Sequence, residues 1–256
     1  MTEARRVAAH LRFVHLAFVR NPAAAIFTLV FPLGLLVVLT TLLRDGSIDR
    51  HGVAYDRTTY HVVAMAVFGL ISASYTNVAM TMTLARERGV LKRLRGTPLP
   101  IGAVVLARVV HASLVAVVLV TVTFAYGIAI DAVEVPSAGS AAALVGITVL
   151  AAACFTAIGL AVSTYVPDAA AAPPLVNGLL FPLLLVSGVF VPIGDDAPGW
   201  VGGVANVFPI QPTFDLALAA AVGRTTSGVA DLLVLLGWAG VAAVIAVRRF
   251  RWEPAA

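Results

Sequence analysis

The chain has 256 residues, 60% hydrophobic and only 12% charged, with a mean hydropathy of +0.98. Soluble domains carry about 25% charged residues, so this composition excludes a soluble globular fold and points to a protein that crosses a membrane several times. The net charge of +4 sits in clusters beside apolar runs, the pattern of membrane orientation rather than of nucleic-acid binding, and the lone Cys154 excludes an internal disulfide.

Residues 1–21 carry Arg5, Arg6, Arg12 and Arg20, with Val7, Leu11, Val14 and Phe18 at helical spacing. They predict an amphipathic helix lying in the membrane interface. Asn21-Pro22 opens a first span at about 23–43, because proline fits the first turn of a helix, and Pro32 should kink it. The stretch 44–60, whose charges nearly cancel, reads as a loop. A second span at about 61–84 is the most polar, and its Ser72, Thr76 and Thr83 fall near one helical face. That face meets either another helix or a translocation path. The candidate path residues are Ser72, Thr76 and Asn77, with Asn177 farther along the chain.

Further spans are expected at about 101–130, 137–165, 173–191 and 229–247, judged against the roughly 20 apolar residues needed to cross hydrocarbon. Between the last two, 192–228 holds two apolar patches too short to cross, which predict re-entrant helices on the extracytoplasmic side. The fold expected is an all-α polytopic membrane protein, one domain of six transmembrane helices. Sorting the charges orients it. With both termini, the 85–108 region and the 165–172 turn in the cytoplasm, thirteen of the seventeen Lys and Arg residues (four, three, six and none) lie inside and four outside.

The densest charge lies in 85–100, which holds the only lysine, Lys92. Arg88, Lys92 and Arg95 recur at i, i+4 and i+7 beside an apolar stripe of Val90, Leu91 and Leu94, so the segment should lie flat on the membrane. Gly89 marks an elbow, and Thr97-Pro98-Leu99-Pro100 ends the helix, since the residue before proline is pushed out of the helical region. Glu87 stands alone among cations; it either pairs with Arg88 or Arg93 or docks against a partner. A phosphate-binding Gly-x-x-x-x-Gly-Lys-Ser/Thr loop is absent from the sequence, and His61 and His111 have no companions at metal-ligand spacing. No carboxylate stands mid-span to relay protons.

The 85–100 segment resembles the Glu-x-Gly-Thr-Leu-x-x-Leu-x-x-Thr-Pro-Leu-Pro signature of ABC-2 transporter membrane subunits, with Val90 in place of threonine. The resemblance continues in Arg20-Asn21-Pro22, in Ser187-Gly-Val-Phe-Val-Pro192 and in Phe208-Pro209; an arginine often found farther on is replaced by Leu216-Ala217-Leu218. It is most similar to drug and lipid exporters of the daunorubicin-resistance type. The resemblance implies a multi-pass plasma-membrane permease, acting as a homodimer among membrane lipid, with no cofactor of its own. ATP and Mg would belong to a separate ABC ATPase. It also implies a coupling helix docked on that ATPase, carrying Glu87, Gly89, Leu91 and Leu94, with Lys92 and Arg93 in the same segment. The substrate expected is a hydrophobic or amphipathic drug or lipid. The alternative is a polysaccharide, teichoic acid or other lipid-linked glycan.

Overall fold

The computed structural model describes residues 3–50, 52–97, 99–130, 132–193, 198–224 and 228–250, with side chains from Arg5 onward. The expected proline stop at Pro98 and the acids Asp131, Asp195 and Asp196 lie outside the described residues. Helix α1 (Glu3–Val19) is followed by Asn21, whose side chain accepts from the Ala24 amide at 3.2 Å and so caps α2 (Pro22–Leu42). The kink expected at Pro32 takes the form of a π turn over Ile26–Val30, just before it. Proline offers no amide and its ring crowds the preceding turn, and the wider winding accommodates both.

The expected loop at 44–60 contains a hairpin instead. Strand β1 (Ser47–Arg50) pairs antiparallel with β2 (Val53–Asp56), Arg50 opposite Val53. Gly52 takes the left-handed conformation of the turn (φ +71°) and donates its amide to Asp49 at 3.0 Å. Strand β2 runs directly into α3 (Arg57–Glu87), where the Asp56 carboxylate accepts the amides of Thr58 and Thr59. The second span is thus longer at both ends than the expected 61–84.

Helix α3 is the axis of the bundle. Its apolar window is 83% buried, against 22% for α2 and 17% for α10 (Val229–Arg249). Around it pack α5 (Ile101–Ala129) and α6 (Ala138–Ser163), and α6 also carries α10 along its other side. Helix α3 unwinds into a π turn at Ser72–Thr76, against which α6 presents Gly159. A Cβ on Gly159 would lie 2.7 Å from the Tyr75 carbonyl oxygen and 3.3 Å from the Tyr75 Cα. Backbone meets backbone there, and only glycine allows it.

Among the described residues, α2, α3, α5, α6 and α10 are long and apolar enough to cross a membrane, and α7 (Ala172–Val186) is a shorter apolar helix. Its 15 residues extend about 22 Å, less than the roughly 30 Å of hydrocarbon. The expected span to residue 191 stops short for a physical reason. Gly188 turns left-handed (φ +78°), and the carbonyls of Ser187 and Gly188 accept from the side chains of Arg50 and Tyr60 instead of continuing a helix. The 192–228 segment does form two short helices, α8 (Gly199–Val207) and α9 (Ile210–Ala221). They differ in kind: every α9 residue except Asp215 is buried, whereas in α8 only Ala205 is.

Side-chain contacts sort the connections into two ends. At one end the Thr59 hydroxyl donates to the Ala132 carbonyl, Thr58 to Arg44, and Arg50 reaches Ser187 and Asp215. At the other, Arg86 reaches Ser163 and Val166, and Arg249 lies 5.4 Å over the Tyr165 ring. The four segments that the charge count assigns to one side thus include three that touch here. Gly159→Val should force α6 away from the π turn and lower stability by about 1–3 kcal/mol, read as an earlier thermal unfolding of the detergent-solubilised protein.

Candidate functional site

The basic segment after α3 is built as an elbow. Helix α3 ends at Glu87, and Gly89 takes φ +68° with its amide donating to the Arg86 carbonyl at 3.0 Å, a left-handed helix stop for which glycine is the favoured residue. A second helix, α4 (Val90–Arg95), then starts at once. The single helix expected over 85–100 is therefore two pieces. Arg86 and Glu87 belong to the spanning helix, and six residues form the surface piece.

Helix α4 is amphipathic in fact. Leu91 is 2% exposed and packs with Val78, Met82, Leu160, Ala161 and Ala242, with Leu94 against the same cluster. Lys92, Arg93 and Arg95 are exposed on the other side. Leu91 and Leu94 thus hold the helix to the bundle, and the cations are what it offers outward. The Thr97 hydroxyl donates to the Leu94 carbonyl at 2.7 Å and closes the last turn.

The elbow is tied to the connection between α6 and α7. Arg86, 4% exposed, donates from one nitrogen to the Ser163 carbonyl at 2.8 Å and from another to the Val166 carbonyl. Of the two readings open for Glu87, pairing with Arg88 or Arg93 is not what the structure shows; its carboxylate accepts the Ala169 amide at 2.7 Å. Asp168 in turn accepts from Ala171 at 2.7 Å, so the connection is itself ordered by short side-chain caps. Glu87 is nonetheless exposed.

The four candidate path residues are all half-buried. Ser72 and Thr76 bracket the π turn, whose extra residue rotates them relative to Thr83, so the single polar face expected of this span is broken. Thr83 is fully buried and returns its hydroxyl to the Ala79 carbonyl at 3.0 Å. Tyr75 donates to the Val176 carbonyl at 3.1 Å, which brings the π turn beside Asn177. Asn77 lines a cavity beneath α1, together with Arg88 and Arg108. A second cavity, of about 230 Å³, opens among α3, α6, α7, α10 and the start of α9, lined by Tyr75, Phe155, Phe208, Trp238 and aliphatic side chains.

The family model of ABC-2 type transporters matches residues 6–222. The chain belongs to the ABC-2 type transporter family. No curated protein matches it. An ABC-2 permease is a multi-pass membrane subunit of a transporter, not itself catalytic, and the family works with an ABC ATPase.

The permease also contains a charged hub at its other end that sequence reasoning missed. Arg50, on β1, is 8% exposed; its Nε donates to the Asp215 carboxylate at 2.5 Å and another nitrogen to the Ser187 carbonyl at 3.2 Å. The guanidinium lies 4.8 Å over the Phe214 ring, and Tyr60 packs edge-on against that ring at 5.0 Å while donating to the Gly188 carbonyl. One side chain thus joins the hairpin, the end of α7 and helix α9. Arg50 and Asp215 are 165 positions apart, and no local pattern marks either as half of a pair. Gly188 is needed beside them, since a Cβ there would lie 2.3 Å from the guanidinium. Removing the Arg50 guanidinium takes a donor from the half-buried Asp215 carboxylate and from the buried Ser187 carbonyl, which costs about 1–3 kcal/mol. Arg50→Gln should therefore unfold markedly earlier on heating, and Arg50→Lys should recover little, because a point charge cannot serve two divergent acceptors.

Proposed function

We propose that this chain is the permease half of an ATP-driven exporter, with α4 as the coupling helix through which a separate ABC ATPase, binding ATP and Mg, drives the bundle. The observation that carries this reading is the elbow. An exposed cationic face stands on a helix joined through Gly89 to the end of α3, and that end is itself tied to the α6–α7 connection by Arg86 and Glu87. A load on Lys92, Arg93 or Arg95 passes into two bundle elements at once, whereas a purely topological anchor needs no such clamp. The same reading puts both termini and the elbow in the cytoplasm and the hairpin outside the plasma membrane, in line with the charge count.

The transporter is proposed to be a homodimer among membrane lipid. Helices α2 and α10 are mostly uncovered within one chain, and a second copy or lipid must cover their apolar faces. The cargo proposed is a hydrophobic or amphipathic drug or lipid. The cavity among α3, α6, α7 and α10 supports it, since its lining is aliphatic and aromatic apart from two phenols. A lipid-linked glycan is the second reading, favoured by the rings of Tyr75, Phe155, Phe208 and Trp238 on that same cavity, because ring faces suit sugars. The small volume favours the first.

Glu87→Lys tests the coupling role. It removes the acceptor for the Ala169 amide and reverses the one acidic charge on the elbow. With the ATPase co-expressed, ATP-dependent substrate accumulation inside inverted vesicles should fall at least about 10-fold, equivalent to about 1.4 kcal/mol, with normal membrane insertion. Unchanged export would remove the elbow from the mechanism.

A further inference from the structure

The cavity beneath α1 holds about 490 Å³ and lies between α1, the start of α2, the end of α3, α4 and the first turns of α5. Three arginines line it, Arg20, Arg88 and Arg108, and among the described residues no carboxylate does. Arg20 and Arg88 are exposed at its rim, whereas Arg108 is 8% exposed. It stands about 10 Å along α5 from the helix start. One Arg108 nitrogen donates to the Thr81 hydroxyl at 3.1 Å, but its Nε has no hydrogen-bond partner among the described residues. His111, the next turn along α5, also lines the cavity; it is 5% exposed, and its Nε2 is likewise unpartnered.

An arginine buried with no counter-charge is costly, and burial is tolerated when an anion is supplied. The other wall of the cavity is apolar, formed by Phe13, Val14, Leu84 and Leu91. A charged pole and an oily wall in one cleft describe an amphiphile. We propose that this cavity binds the phosphate group of an anionic amphiphile, clamped by Arg108 with Arg20 and Arg88 at the mouth, its apolar part against α1 and α4. Arginine suits that role because its planar fork matches two phosphate oxygens at once, and an unused Nε–H is a donor awaiting an acceptor. The volume falls within the roughly 300–1,000 Å³ of small-molecule sites.

The surroundings agree. His10, on α1, is buried close enough to Arg108 to feel its charge; burial first, and the guanidinium second, pull its pKa down from 6.5 to about 4. The Arg108 charge thus already makes this region positive, and an anion is the ligand that relieves it. A basic residue placed only for membrane orientation would sit at the surface, as Arg20 and Arg88 do. The assignment stands apart from the proposed cargo and from ATPase coupling, since it concerns only the resting permease.

Thermal unfolding of the purified full-length permease in detergent tests it, with phosphatidylglycerol, phosphatidylcholine or inorganic phosphate added. Phosphatidylglycerol should raise Tm by several degrees and phosphatidylcholine should not, and Arg108→Gln should abolish the difference. A rise with inorganic phosphate as well assigns the site to the free anion, and a rise with phosphatidylglycerol alone assigns it to a lipid headgroup. No rise with either anion, or an equal rise in Arg108→Gln, overturns the proposal. Should Arg108→Gln fail to fold, Arg20→Gln at the rim serves instead: a reduced rise supports the site and an unchanged one refutes it.

Discussion

The guanidinium of Arg86 answers two needs with one side chain. A helix end leaves its last carbonyls without intrahelical partners and carries a partial negative charge. The end of α6 meets both needs by accepting from a buried cation that belongs to α3, through the carbonyls of Ser163 and Val166. The cation in turn is stabilised by polar acceptors it could not otherwise reach from inside the bundle. Everything else at this end is arranged on that tie. Gly89 turns the chain, Leu91 roots the surface helix, and Glu87 fastens the next residues of the α6–α7 connection.

Helix α3 makes the tie matter at a distance. Its 31 residues extend about 46 Å, with Arg86 near one end and Tyr60 near the other. Tyr60 and its neighbour Arg50 hold the second assembly, where the hairpin, Gly188 and α9 meet. The most buried helix thus carries a polar clamp at each end and a π turn between them at Ser72–Thr76. A π turn within a helix is a place where winding can change by one residue, and Gly159 lies in backbone contact with it. The chain therefore provides a stiff rod with two anchors and one soft joint, a form suited to passing a displacement from one membrane face toward the other.

What was legible in the sequence follows the physics of each signal. The spans were readable because apolar length is a local property, as was the elbow, since Gly89 and the cation spacing lie within a few residues. The hairpin was not: two four-residue strands show too little alternation, and the charges of 44–60 masked it. The early end of α7 and the burial of α9 depend on Arg50 and Asp215, which meet only in three dimensions. The Ala169 contact of Glu87 was not among the alternatives the sequence offered, because a backbone amide 82 positions away has no signature, whereas a neighbouring arginine is an obvious one. Arg108 read as one more positive charge for orientation, and only its burial sets it apart.

The central claim is that α4 is the contact through which an ATPase moves this bundle. A photo-crosslinking amino acid placed at Lys92 in cells, with adducts identified by mass spectrometry, tests it most directly. The account predicts an adduct with a chain that carries a Gly-x-x-x-x-Gly-Lys-Ser/Thr phosphate loop, and none with that chain from the same probe placed at Asp49 on the hairpin. No such adduct from Lys92 in membranes where the permease is assembled and exporting would contradict it.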